Sequence, residues 1–317
     1  MATSAMGISA LTFIAVAVLT PVLILALRYF KLTQPIRAEM PAGIQAKKGT
    51  PLMAGLILLI GSAAAYIANP TPWTAFLGSS FLLFSVVGFL DDFKKAAFQD
   101  PSGISGRAKL VLQFLFTGVL LYMLFEHFQL TSDITLIGGY QLALPTSAYI
   151  VLMLLFVVGS ANAINFTDGL DGLLIVVALP TYMFFFAITE KPEVELFCLA
   201  MIASLLGLLI YNAFPAKAFM GDTGSLAIGG SLSFLAILEK VELLIPLLFF
   251  VYFAEQLSVI LQVWYYKRTK LRIFRMAPIH YHYSMKYGWT ENRIVLVFGS
   301  VSSLCALLSW VIWYLWM

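Results

Sequence analysis

Charge is scarce in this chain. Asp, Glu, Lys and Arg make up only 11% of its 317 residues, against 61% hydrophobic residues, where a soluble globular domain carries about 25% charged and about 45–50% apolar residues. The balance is that of a membrane protein. Each helical crossing needs about 20 apolar residues to span roughly 30 Å of hydrocarbon, so the apolar runs consume most of the chain and leave short connections. A soluble catalytic domain is thereby excluded, and neither G-x-G-x-x-G nor G-x-x-x-x-G-K-[ST] occurs. Cysteine is nearly absent. Cys198 and Cys305 both lie inside apolar runs, which excludes a disulfide framework. A net charge of only +3 argues against nucleic acid as a partner.

Apolar runs of helical length lie at roughly 8–30, 52–68, 73–90, 109–126, 147–165, 170–188, 194–212, 224–239, 242–266 and 293–316. They predict an all-α polytopic membrane protein of about ten transmembrane helices, forming a single integral membrane domain over residues 1–317. The first run has a neutral start and is trailed by Arg28 and Lys31, the reverse of a signal peptide, and reads as a retained helix. Pro21, Pro180 and Pro246 fall within runs and predict kinks, with the ninth run, around Pro246, best suited to break. Between Gln129 and Pro145, alternating apolar residues around Gly138-Gly139 predict a small external β-hairpin with a two-residue turn.

Basic residues divide unequally between the connections. Arg28, Lys31, Arg37, Lys47, Lys48, Lys94, Lys95, Arg107, Lys109, Lys217, Lys267, Arg268, Lys270, Arg272, Arg275, Lys286 and Arg293 fall on one side, and only Lys191 and Lys240 on the other. Cytoplasmic loops collect Lys and Arg, so the rich side faces the cytoplasm and both termini face outward.

The aspartates gather on that same side, all but Asp133. An ionisable group at the end of a membrane span usually faces the protein interior or a water-filled cavity and marks function. Asp91 and Asp92 close the third run ahead of Lys95. Adjacent helical residues point about 100° apart, so this is either a solvated helix end or an acid/base or metal-ligand pair whose lysine meets a phosphate. Asn162, Asn165, Asp168 and Asp171 join runs five and six. Capping would account for one of them, not for the set. Gly221-Asp222-Thr223-Gly224-Ser225 precedes the eighth run, where a carboxylate and free backbone donors at a helix N-terminus can hold magnesium and phosphate oxygens together. In the last loop His280 and His282 are two apart, which places both on one side of an extended segment. His-x-His suggests zinc, but surroundings rich in Asp and Asn favour magnesium. Magnesium beside lysines and aspartates reads as a site of phosphoryl transfer.

These segments carry a resemblance. Lys47-Lys48-Gly49-Thr50-Pro51, the Asp91-Asp92 pair, residues 162–172, 212–225 and 257–263, and Met276-Ala277-Pro278-Ile279-His280 occur in family order. By them the chain resembles the polyprenyl-phosphate N-acetylhexosamine-1-phosphate transferases, most closely their phospho-N-acetylmuramoyl-pentapeptide branch. It departs where the family usually has three consecutive histidines and this chain reads His280-Tyr281-His282, and where Leu52 and Ala54 stand for the usual threonine and glycine. The resemblance implies transfer of phospho-N-acetylmuramoyl-pentapeptide from its uridine diphosphate carrier to undecaprenyl phosphate. The products are lipid I and uridine monophosphate, made with Mg2+ at the cytoplasmic face of the bacterial inner membrane by a homodimer embedded in membrane lipid.

By the same resemblance Asp222 is a magnesium ligand, Asp91 and Asp92 are the acid/base pair near the lipid phosphate, Lys95 contacts phosphate, and His280 joins the catalytic set. Asn165, Asp168, Asn212 and Phe219 frame the uridine and its diphosphate, with Asp171, Gln262, His280 and His282 close by; Asn162 joins the substrate-binding set, and Lys48 and Thr50 complete the rim. Two other readings stay open: transfer of N-acetylglucosamine-1-phosphate for another cell-surface polymer, and a transporter, whose polar groups would sit near mid-bilayer.

Overall fold

The computed structural model describes residues 2–35 and 47–316; Arg37, counted above among the cytoplasmic cations, lies outside them. Every apolar run is helical. Helix α1 is Ala2–Tyr29; a 3-10 turn, Ala54–Leu58, leads into α2, Leu59–Ala68; α3 is Pro72–Phe98 and α4 Gly106–Phe128. Then come α5, Thr146–Thr167, α6, Leu173–Ile188, α7, Pro192–Asn212, and α8, Gly221–Leu238. The chain ends with α9, Ile245–Leu248, α10, Phe250–Thr269, α11, Ile279–Tyr287, and α12, Glu291–Trp316.

Seven of these helices are long and apolar enough to cross a membrane, or up to eight when the bent segment around residue 249 counts as one span. The other two runs form shorter apolar helices, Ala54–Ala68 and Leu173–Ile188. Both are shortened at the end where polar residues gather. Pro51 and Met53, the latter at φ 76°, force a 3-10 entry to α2, and residues 168–172 turn in place of a first helical turn of α6. Pro246 accompanies a 73° bend between Glu242–Leu248 and Phe250–Thr269, as expected for the ninth run. Helices α1 and α6 continue through Pro21 and Pro180.

Local signals explain helix starts at both ends of the bundle. Thr71 caps α3 in a reciprocal arrangement with Thr74, with Pro72 in the first turn, and Ser105 caps α4 through the Ala108 N–H. The antiparallel strands β1, Asp133–Thr135, and β2, Gln141–Ala143, form the predicted hairpin. Its turn is wider than two residues. Gly138 and Gly139, both at positive φ, sit in a 3-10 turn closed by the Leu136 N–H on the Tyr140 carbonyl at 2.7 Å.

Helix α8 is the axis of the bundle, buried along nearly its whole length and packed against α3 and α5. Close approach of α3 depends on Gly88, where a Cβ would overlap the Asp222 backbone. The outermost helices show the opposite pattern: Leu11, Val18, Val22 and Leu25 of α1 are exposed, as expected for side chains facing lipid. The chain is therefore a multi-pass helical membrane protein.

Candidate active site

Three helix ends meet at one end of the bundle: the C-terminal turns of α3 and α5 and the N-terminus of α8. They deliver Asp91 and Asp92, Asn165 and Asp168, and Asp222. The two adjacent aspartates of α3 diverge, as the helical angle requires. Asp92 is buried against α8, its Oδ2 accepting the Thr223 N–H at 2.8 Å and the Thr223 hydroxyl at 2.7 Å. Asp91 turns to the connection after α3, accepting the Ile104 N–H at 2.9 Å and pairing with Lys95 at 2.5 Å. Gly221, at φ +74°, lets the chain enter α8 without a side chain where Asp92 lies.

Asp222 is the hub. Its Oδ2 meets Lys109 Nζ at 2.5 Å and Lys95 Nζ at 3.2 Å, and its Oδ1 accepts the Asn165 side-chain amide at 2.8 Å. The same amide reaches Ser225 at 2.7 Å. Three carboxylates thus face two ammonium groups. Asp91, Asp92 and Asp222 each offer an oxygen within 4.8 Å of the others, and Asp92 Oδ1 is buried without a hydrogen-bond partner among the described residues, 3.8 Å from Lys95 Nζ. An unpartnered buried oxygen in an all-oxygen donor set fits a hard divalent cation such as Mg2+.

A cavity of about 400 Å3 opens here, with Asp92, Lys95, Asp168, Asp171, Asn212, Phe219 and Asp222 on its wall. The 168–172 segment is not helical, so Asp168 and Asp171 do not share a helix face; each is held separately. Burial lifts the Asp168 carboxyl to about 8, and the nearby charges of Asp222 and Asp92 push the same way against a hydrogen bond from the Gly221 backbone. Asp171 is clamped by Lys47 at 2.6 Å and by the Ala216 N–H at 2.9 Å, and Lys47 also reaches Glu291 at 2.7 Å. Asn212 accepts the Gly172 N–H at 3.2 Å and donates to the Ala218 carbonyl at 3.0 Å, tying both cavity loops together.

Other predicted site residues lie off the cavity wall. Asn162 donates to Gln113 at 2.6 Å and to the Val158 carbonyl. The Gln262 side chain accepts the Phe274 N–H at 2.8 Å and anchors the last loop. His280 and His282 sit on α11 rather than on an extended segment, so they point apart. His280 is fully buried, whereas His282 accepts the Arg275 N–H at 3.1 Å, its imidazole held below the usual range by partial desolvation, Lys286 and Arg275. Lys48 is exposed, Thr50 is half-buried in the turn before Pro51, and it is Lys47 that reaches the cavity. Sequence reasoning also missed Lys109 and Tyr281, whose hydroxyl donates to the Gly169 carbonyl at 2.9 Å from the cavity wall. Lys109 stood among the cytoplasmic cations; its position three residues after Gly106, at the start of α4, was the available signal.

Residues 73–240 match the model of glycosyl transferase family 4. The phospho-N-acetylmuramoyl-pentapeptide-transferase of Anoxybacillus flavithermus is 39% identical over 308 residues, 94% of each chain. Its namesake from Bacillus subtilis is 38% identical over 306 residues, 93% of this chain and 94% of its own, and that of Clostridium beijerinckii 39% identical over 301 residues, 93% and 92%. With likeness of that degree running almost end to end and the family model spanning the segments that build the cavity, the chain belongs to glycosyl transferase family 4.

Proposed function

We propose that this chain transfers phospho-N-acetylmuramoyl-pentapeptide from its uridine diphosphate carrier to undecaprenyl phosphate, yielding lipid I and uridine monophosphate for peptidoglycan synthesis. The relatives' shared name supports the reaction. The observation that carries the chemistry is the convergence of Asp92, Asp222 and Lys95 on the wall of one cavity at the helix ends. A transporter would place its polar groups nearer mid-span.

A phosphate monoester has a second pKa near 6, so the lipid phosphate is already largely dianionic at neutral pH and needs little help from a base. One of its oxygens attacks the phosphorus that bears the sugar. The bond from that phosphorus to the bridging oxygen breaks, and the oxygen departs with uridine monophosphate. Positioning and charge neutralisation supply most of the catalysis of such transfers. Lys95 and Lys109, gathered at Asp222, neutralise phosphate oxygens. Asp222, with Asp92 and Asp91 beside it, would hold magnesium, which when bound supplies Lewis-acid neutralisation of the diphosphate. Asp91, tied to the Ile104 N–H, orients Lys95.

Asn165, Asp168, Asn212 and Phe219 frame the uridine diphosphate, and Asp171 fixes Lys47 toward it. Asn162, Gln262, His280 and His282 support the wall from outside, and Lys48 and Thr50 form the rim. The uneven distribution of Lys and Arg supports a cytoplasmic site and outward termini, the ten apolar runs support ten crossings, and the resemblance supports an inner-membrane location and a homodimer.

The deciding experiment supplies purified protein with magnesium and undecaprenyl phosphate, offers each sugar nucleotide separately, and measures release of uridine monophosphate. Release with the muramoyl-pentapeptide donor is expected. Release only with the N-acetylglucosamine donor, the reading that Tyr281 in place of a histidine keeps open, would overturn the substrate assignment. Labelled enzyme trapped without acceptor would replace direct attack by a two-step route.

A further inference from the structure

Glu255 lies in the second turn of α10, inside an apolar helix, with no exposed surface. A carboxylate removed from water at such a depth is costly, and one retained there has a partner and usually a task. The reaction above gives it none. Its Oε2 stands 3.1 Å from Nδ1 of His280 and accepts the His280 backbone N–H at 3.4 Å. Oε1 and both imidazole nitrogens have no hydrogen-bond partner among the described residues, so the approach of Nδ1 to Oε2 is a close charge contact rather than a formed hydrogen bond, and it is the polar contact that joins the two side chains.

His280 is equally buried and stands behind Gly169. A Cβ at Gly169 would overlap the Nε2–Cε1 edge of the ring, so imidazole and glycine backbone are in direct contact. On the other side Gly169 lines the cavity. Its carbonyl is held by Tyr281, whose ring centroid lies 4.1 Å from that of His280. A continuous path of contact therefore runs from Glu255 through His280 to Gly169 and the segment that presents Asp168 and Asp171.

We propose that Glu255 is a positioning residue for the transferase reaction: from within the membrane helix it fixes the orientation of His280, and the imidazole in turn sets the backbone path of the 168–171 segment at the cavity wall. The inference rests on the transferase reading above. It explains why the histidine is wholly buried while the glycine beside it is at the cavity, and why a glutamate sits in an apolar helix within reach of the last loop. A glutamate here purely for packing would serve no better than a hydrophobic residue of similar volume.

The test uses the full-length purified protein. Glu255→Gln keeps the shape and removes the charge. It is expected to lower kcat on the order of tenfold, with KM for each substrate within about twofold. His280→Gln is expected to do the same, and the double variant to be no worse than either single one. Wild-type kcat in Glu255→Gln, a loss expressed in KM alone, or single losses that multiply in the double variant would overturn the proposal. Independently of turnover, the imidazole nitrogen shifts of His280, one of three histidines, must differ between wild type and Glu255→Gln in folded protein; identical shifts also overturn it. Wild-type protein that releases no uridine monophosphate would instead defeat the transferase reading, while the nitrogen shifts still decide the contact.

Discussion

Charge is handled differently at the two ends of the helical bundle. At the hairpin end Glu239 and Glu242 each face a partner of another kind: Glu239 meets Lys191 at 3.1 Å, and Glu242 accepts the Tyr149 hydroxyl at 2.7 Å. Lys240 there donates to the backbone carbonyls of Thr131 and Asp133 and holds the hairpin to the helices. The adjoining cavity is only about 110 Å3. At the opposite end three carboxylates crowd within 4.8 Å, two lysines share one of them, and about 400 Å3 of cavity lies alongside. Folding alone gains nothing from packing like charges together. Dispersed, paired charge is the signature of a structural end, and concentrated charge beside a cavity that of a chemical one.

That contrast can be broken by mutation. Asp222→Ala removes the hub of the crowded end and should cost on the order of 10²–10³-fold in kcat, read as uridine monophosphate release; turnover near wild type would show that the crowding serves no chemistry. Gly88→Ala places a methyl against the Asp222 backbone, and the overpacking should cost about 1–3 kcal/mol and much of the activity, seen as earlier thermal unfolding in detergent. An unchanged melting temperature would mean that α3 and α8 do not need their close approach.

The third test sharpens the electrostatics. With its carboxyl at about 8, Asp168 is mainly protonated below that pH in the ligand-free protein and adds negative charge above it. Affinity for Mg2+ should therefore rise as pH increases from about 7 to about 9, with proton release on binding, because a cation favours the ionised form. Titration calorimetry in two buffers of different ionisation enthalpy measures this, and Asp168→Asn should flatten the dependence; tighter binding at lower pH would contradict it. The smallest effect belongs to the hairpin end. Lys240→Met should lose about 1 kcal/mol of stability with kcat unchanged, so a drop in turnover would erase the distinction between the ends.

Much of this was legible in one dimension. The apolar runs became helices because hydrocarbon admits few alternatives that satisfy the backbone, and Pro246 foretold the bend. Asp91, Asp92, Asp168 and Asp222 could be singled out because an acid beside an apolar run is rare. Registers within turns were less visible. Lys47 rather than Lys48 reaches Asp171 because the turn before Pro51 rotates one lysine inward and the other to solvent. His280 and His282 separated because the last loop winds into a helix, and the spacing that aligns residues on a strand opposes them on a helix.

Composition and order alone determined that the chain resides in a membrane, roughly where its apolar helices lie, and which segments carry the acids. These are local properties: each depends on hydropathy over a turn or a span. Only the tertiary structure decided that α8 is the axis, that Lys109 shares Asp222 with Lys95, that Asp91 and Asp92 diverge to different neighbours, and that Glu255 meets His280. Such contacts join residues far apart in sequence, and they depend on how whole helices pack, which no local window contains.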